Sequence, residues 1–153
     1  VVLAAGLSRA LELADARLRV AAGRNPLAQL RDGLLERLVQ LPGLRLSGPD
    51  PRRSPAARLP HHLSLLVSAP GGEPLSGRQL VRRLWQEGYA VSSGSACSSG
   101  GSGASPVLRA LGYGEAEAAS GLRLCFGPWL TATDLERFPD ALERARQPLV
   151  PGP

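Results

Sequence analysis

The run "VSSGSACSSGGSGAS" sets one cysteine, Cys97, among serines and glycines, which are poor formers of helix and strand. A thiol kept for packing sits among apolar neighbours. Cys97 reads instead as a thiol on a loop, where nearby backbone N–H groups favour the thiolate, the form that acts as nucleophile. A bare linker is the plain alternative, but it explains neither the apolar approach through Val91 nor the cysteine itself. A Gly-rich turn can also cradle phosphate with its backbone N–H groups. The Walker A form of that cradle needs a lysine, and the serine nucleophile elbow G-x-S-x-G does not occur in register.

Arg123 lies two residues before Cys125 in "GLRLCF", so a strand there puts both on one face. An arginine partly buried on a strand needs an anionic partner, and its planar fork suits a carboxylate. That partner is either an acid of the chain or a bound substrate, and the residues leave both open. Cys125 sits in an apolar strand pattern and is expected to be packed rather than reactive. His61 and His62 are adjacent, so a strand would point them to opposite faces. Neither has Cys, Asp or Glu at ligand spacing, so both take structural roles and no metal is expected.

The composition narrows the chemistry further. All 18 basic residues are arginine, so no side-chain amine can start Schiff-base chemistry. The net charge of +5 invites a nucleic-acid reading. The arginines are scattered, however, and the local cluster Arg52, Arg53 and Arg58 in "GPDPRRSPAARLP" has no aromatic interleaved. A solvated loop is expected there, with no nucleic-acid partner. No apolar run nears the roughly 20 residues of a membrane helix, and the N-terminus lacks the pattern of a signal peptide. A cytoplasmic protein without a membrane partner is the simplest expectation, and two cysteines do not suggest a disulfide framework.

These residues need elements to position them. Leu3, Leu7, Ala10, Leu11, Ala14 and Leu18 recur at helical spacing, predicting a helix from Val1 to about Ala22. Asn25 and Pro26 form a helix start, with Leu27, Leu30, Leu34, Leu38 and Leu41 on one face. Leu44 to Leu46 is a short strand, and "HLSLLVS" a longer one. Ser76 opens a helix that Gly88 stops, "YAVSS" is a brief strand, and Ser105 with Pro106 restarts a short helix ending at Gly112. "GLRLCF" is a strand. "TATDLERFPDALERARQ" is helical, with Thr133 and Glu136 spaced as a capping box and Pro139 dividing it. The fold class expected is α/β of the α+β kind: one mixed sheet covered by helices on one side.

The segments "VSSGSACSSG", "PVLRALG" and "GLRLCFGPWLTATDLE", with "LPGLRLSGP", "RLPHHLSLLV" and "LVRRLWQEGYAVSSGSAC" upstream, together resemble the C-terminal part of the cysteine desulfurases, pyridoxal phosphate enzymes of the class V aminotransferase family. The resemblance covers essentially the whole chain. It implies that residues 1–24 are the remnant of an interdomain helix and that 25–153 form the small domain carrying the catalytic-cysteine loop. In that family the loop cysteine attacks the sulfur of a substrate cysteine held on pyridoxal phosphate, alanine leaves, and a persulfide stays on the enzyme. By position, Cys97 is the nucleophile and sulfur carrier, and Arg123 grips the substrate carboxylate. Ser93, Gly94, Ser95, Ala96, Ser98, Ser99, Gly100 and Gly101 form the mobile loop, with Gly103 beyond them.

The resemblance further implies a homodimer when complete, L-cysteine as substrate, and a sulfur-acceptor or scaffold protein serving iron–sulfur assembly or thio-modification. The cofactor lysine and the phosphate-binding residues belong to a large domain, in the same or a separate chain. With no lysine, this chain has no cofactor-binding residue of that kind and alone is expected to be inactive. Pro128 stands where the family usually has a basic residue. A stand-alone persulfide relay or interaction module without cofactor is the alternative.

Overall fold

The computed structural model describes residues 1–20, 25–94 and 103–148. Helix α1 spans Val2–Val20 and α2 spans Pro26–Leu38. Asn25 starts α2 as expected, its Oδ1 accepting from the Leu27 N–H at 3.0 Å, with Pro26 in the first turn where a missing N–H costs nothing. Strands β1 (Leu44–Leu46) and β2 (His62–Val67) follow, separated by the Pro- and Arg-rich connection with one 3₁₀ turn at Pro55–Ala57. Then come α3 (Gly77–Gln86), β3 (Ser92–Ser93), α4 (Pro106–Ala110), α5 (Glu115–Ala119), β4 (Gly121–Cys125) and α6 (Phe138–Arg146).

The α+β class holds. The strands form one sheet in the order β1-β2-β4-β3, and the sheet, expected to be mixed, is antiparallel at each of its three pairings. Strand type cannot be read from alternation alone, because a half-buried strand alternates whichever way its neighbour runs.

One face of the sheet carries the core. Leu63, Leu65 and Val67 of β2 and Leu122 and Leu124 of β4 meet Leu34, Leu35 and Leu38 of α2, Leu80 and Leu84 of α3, and Phe138 and Leu142 of α6. Each leucine buried this way contributes about 1.5–3 kcal/mol. Tyr89 meets Phe138 edge to face at 5.0 Å between ring centroids. Buried Arg146 ties α6 to the sheet end by donating to the carbonyls of Ser68 and Pro42, and it pairs within α6 with Glu143 at 2.5 Å.

The opposite face is only half covered. Leu108 of α4 and Ala118 of α5 pack on Leu66, and they approach closely because a Cβ at Gly121 would stand 2.7 Å from Leu108 Cδ1. Among the described residues the helical cover stops there, leaving the far part of β2 and β4 open. Helix α5 has no counterpart among the sequence expectations: "GEAEAA" has too few apolar positions to show a period.

Two further details differ from expectation. The capping residues before α6 are Thr131 and Asp134 rather than Thr133 and Glu136: Asp134 Oδ2 accepts from both the N–H and the hydroxyl of Thr131, each at 2.7 Å. Pro139 divides the segment as expected, into a 3₁₀ turn at Thr133–Leu135 and α6, where it occupies the first turn. The described side chains of α1 are exposed along its length, with Leu3, Leu7, Leu11 and Leu18 among the exposed apolar residues. Among the described residues no helix is long and apolar enough to cross a membrane.

Candidate functional site

The open half of the second face is lined by a row of polar side chains running across the sheet. Ser64 of β2 pairs with Arg123 of β4, and Arg123 pairs with Ser92 of β3. Alternation puts all three on the face away from the core. Ser47, just past β1, extends the row: its hydroxyl donates to Ser64 Oγ at 2.6 Å. Arg123 Nη2 donates to Ser92 Oγ at 3.0 Å.

Arg123 and Cys125 share this face, as their spacing requires, but both are exposed. Cys125 is thus not packed as expected; the apolar pattern around it comes from Leu124 and Phe126, which point to the core side. Arg123 makes no ion pair among the described residues, and the residues outside that set include no Asp or Glu. No acidic side chain of the chain therefore serves Arg123, which leaves its fork available to an external carboxylate.

Arg123 opens into a cavity of about 320 Å³ between the sheet, the connection after β1 and α4. The walls include Arg58, His62, Ser64, Gly94 and Leu108. Arg58 is the departure from the solvated basic cluster expected there. Arg52 and Arg53 are exposed, and Arg52 pairs with Asp50 at 2.7 Å, but Arg58 is buried. Its Nε donates to the Pro49 carbonyl at 3.0 Å, and its Nη2 donates to the Ser47 carbonyl. Gly48 makes this wrap possible: its φ of +73° is accessible to glycine at little cost, and its N–H donates to the Tyr113 hydroxyl at 3.3 Å.

Burial, followed by the charge of Arg31, lowers the Arg58 pKa. Burial also lowers that of His62, with further contributions from the positive charges of Arg58, Arg123, His61 and Arg31. Both effects favour the neutral imidazole and, among the described residues, no group of Cys, His, Asp and Glu is placed to hold a metal ion. His62, assigned a structural role from sequence, therefore belongs to the cavity wall. Its sequence signal is weak, because only the pairing of β2 with β4 brings it near Arg123.

The loop residues fall in two groups. Ser93, expected in the mobile loop, is buried and paired with Leu122 in β3. Gly94 stands so close to the α4 N-cap that a Cβ there would lie 2.8 Å from Ser105 Oγ. The cap itself forms as expected, Ser105 Oγ accepting from the Leu108 N–H at 3.4 Å. Cys97, with Ser95, Ala96, Ser98, Ser99, Gly100 and Gly101, lies outside the described residues. What the structure places is the two anchors, Gly94 and Gly103, on either side of them.

No family model matches the chain. It is 32% identical to a cysteine desulfurase IscS of Methanosarcina thermophila over 95% of its own length and 35% of that protein. A cysteine desulfurase IscS of Methylococcus capsulatus is 34% identical over 86% of the chain and 29% of the relative. Among solved structures, a NifS-like protein matches with a TM-score of 0.68 at 25% identity, covering 91% of this chain and 32% of that one. A NifS-like protein from Rickettsia africae, at 24% identity and a TM-score of 0.59, agrees in fold.

The architecture, an antiparallel sheet with helices over one face and part of the other, matches part of a NifS-like protein. By sequence and fold the chain is a relative of the cysteine desulfurases and corresponds to their C-terminal part, spanning about a third of their length.

Proposed function

We propose that this chain is the sulfur-carrying C-terminal part of a cysteine desulfurase, releasing alanine from L-cysteine and holding the sulfur as a persulfide on Cys97. The observation that carries the proposal is Arg123: a guanidinium without an acidic partner, on an open sheet face, lining a cavity whose wall also includes Gly94, three residues before Cys97. Arg123 holds the substrate α-carboxylate. The Cys97 thiolate attacks the substrate sulfur, the carbon–sulfur bond breaks, and the carbon keeps the electron pair and takes a proton. The products are alanine and a Cys97 persulfide.

Pyridoxal phosphate, which the family implies, does not fit this chain alone, because no lysine is present to link it. A large domain in the same or a separate chain supplies it, and α1 is part of the segment joining the two domains, a reading supported by its uncovered apolar residues. The complete protein is a cytoplasmic homodimer that passes its sulfur to iron–sulfur cluster or thio-modification acceptors.

In the complete protein, Cys97→Ala abolishes alanine formation from L-cysteine while the cofactor absorbance stays. Normal turnover in that variant would sink the assignment. The missing lysine favours a second reading, a relay that accepts a persulfide without cofactor. Under it, Cys97 of the isolated chain becomes persulfidated by a donor protein, and the complete protein forms no alanine from L-cysteine.

A further inference from the structure

Among the described residues, buried arginines come with acids, with one exception. Arg31 pairs with Asp32 at 2.8 Å and Arg146 with Glu143 at 2.5 Å. Arg58, also buried, has no ion pair among the described residues. Two of its nitrogens donate to the carbonyls of Pro49 and Ser47, and Nη1 stands 3.4 Å from His62 Nδ1. A guanidinium has no acceptor and keeps its proton, so in that contact Arg58 donates and His62 Nδ1 accepts. A neutral imidazole accepting at Nδ1 carries its proton on Nε2. Arg58 thereby fixes the tautomer of His62.

That tautomer faces a cavity wall shared with Arg123. His62 pairs with Cys125 and Ser64 with Arg123, so His62 and Arg123 are diagonal neighbours on the open face, within reach of long side chains. The groups around the imidazole are Arg31 of α2, Arg58 of the connection before β2, His61 beside it, and Arg123 and Cys125 of β4, with no carboxylate among them to draw a second proton onto the ring.

We propose that His62 is a second substrate-binding residue, its Nε2–H donating to the carboxylate that Arg123 grips, and that Arg58 is the positioning residue that holds His62 in this form. The inference rests on the assignment of Arg123 as the carboxylate anchor. A carboxylate has about four lone-pair sites, enough for the arginine fork and one further donor. A neutral donor suits an α-amino acid, since a further cation would repel the substrate ammonium.

The test uses the complete, cofactor-loaded protein. His62→Leu raises KM for L-cysteine by about tenfold or more, the loss expected for one hydrogen bond to a charged group, with kcat within about twofold. His62→Gln, which keeps an N–H donor, recovers most of that affinity. Histidine ¹⁵N spectra of the wild type show the Nε2–H tautomer for His62 at neutral pH, and its resonance moves on adding L-alanine; Arg58→Met yields a mixture of tautomers. The spectra need no substitution at His62, so they decide even where a variant fails to fold. An unchanged KM in a folded His62→Leu variant, an Nδ1–H tautomer, or no shift at saturating L-alanine overturns the proposal. If Arg123→Ala raises KM while His62→Leu does not, the proposal for His62 fails alone. If Arg123→Ala also leaves KM unchanged, the carboxylate site itself is wrong.

Discussion

Arg123 and Ser92 are register partners across the β4–β3 pairing, and the guanidinium donates to the serine hydroxyl at 3.0 Å. Ser92 in turn donates to the Ser93 carbonyl at 3.2 Å, so the arginine is oriented by the short edge strand that leads to Cys97. In the complete protein, Arg123→Ala raises KM for L-cysteine by about tenfold or more, consistent with loss of a charge-assisted contact. Ser92→Ala, which leaves the charge but frees its orientation, has a smaller effect in the same direction. Steady-state kinetics at fixed cofactor occupancy separate the two, and equal losses would contradict the assigned roles.

Gly77 begins α3 where that helix meets the sheet. A Cβ there would stand 2.4 Å from the Gly121 carbonyl oxygen and 3.1 Å from Ser93 Cβ. Both neighbours belong to the paired β4 and β3 strands, so neither can yield cheaply. Gly77→Ala is expected to lower stability by about 1–3 kcal/mol, as overpacking does, despite the better helix propensity of alanine. Urea unfolding measures it; an unchanged midpoint would show that α3 can slide on the sheet.

Arg146 bonds two backbone carbonyls, of Ser68 and Pro42, besides Glu143. Arg146→Ala leaves both without that donor and destabilises by about 2 kcal/mol or more. Glu143→Gln keeps the guanidinium in place and is much milder, because the glutamate is partly exposed and its pair partly screened. Comparing the two variants by thermal melts tests whether the carbonyls or the acid matter more.

Cys125 is exposed, so a Cys97→Ser variant takes up one equivalent of iodoacetamide under native conditions, mapped to Cys125 by peptide analysis. Protection until the chain is unfolded would place Cys125 back in the core.

The Arg52 side chain, donating to Asp50, holds the Asp50 carboxyl down to about 2, from its ordinary 3.8. A carboxyl depressed in the folded state adds stability that is present above about 3.8 and is lost as pH falls toward about 2. Asp50→Asn therefore flattens the stability profile in that window and leaves it unaltered near neutrality except for a constant offset. Unfolding curves taken between the two limits check the sign.

Much of this protein is legible in its residues. Periodicity and caps locate α2 at Asn25 and Pro26, β2 at "HLSLLV" and β4 at "GLRLC", and alternation puts Arg123 and Cys125 on one face. These are local properties, set by side-chain spacing and backbone preference within a few residues. The absence of lysine, which keeps pyridoxal phosphate from being linked to this chain, is likewise a matter of sequence alone.

What tertiary structure decides is non-local. Alternation says that Cys125 faces opposite to Leu124, but only the layers say which face is covered, and α4 and α5 stop short of Cys125. Arg58 looks like its neighbours Arg52 and Arg53, yet the carbonyls of Ser47 and Pro49 take it into the interior. His62 reaches the company of Arg123 because β2 pairs with β4, a strand far along the chain, in a register set by the buried leucines on the other side of the sheet.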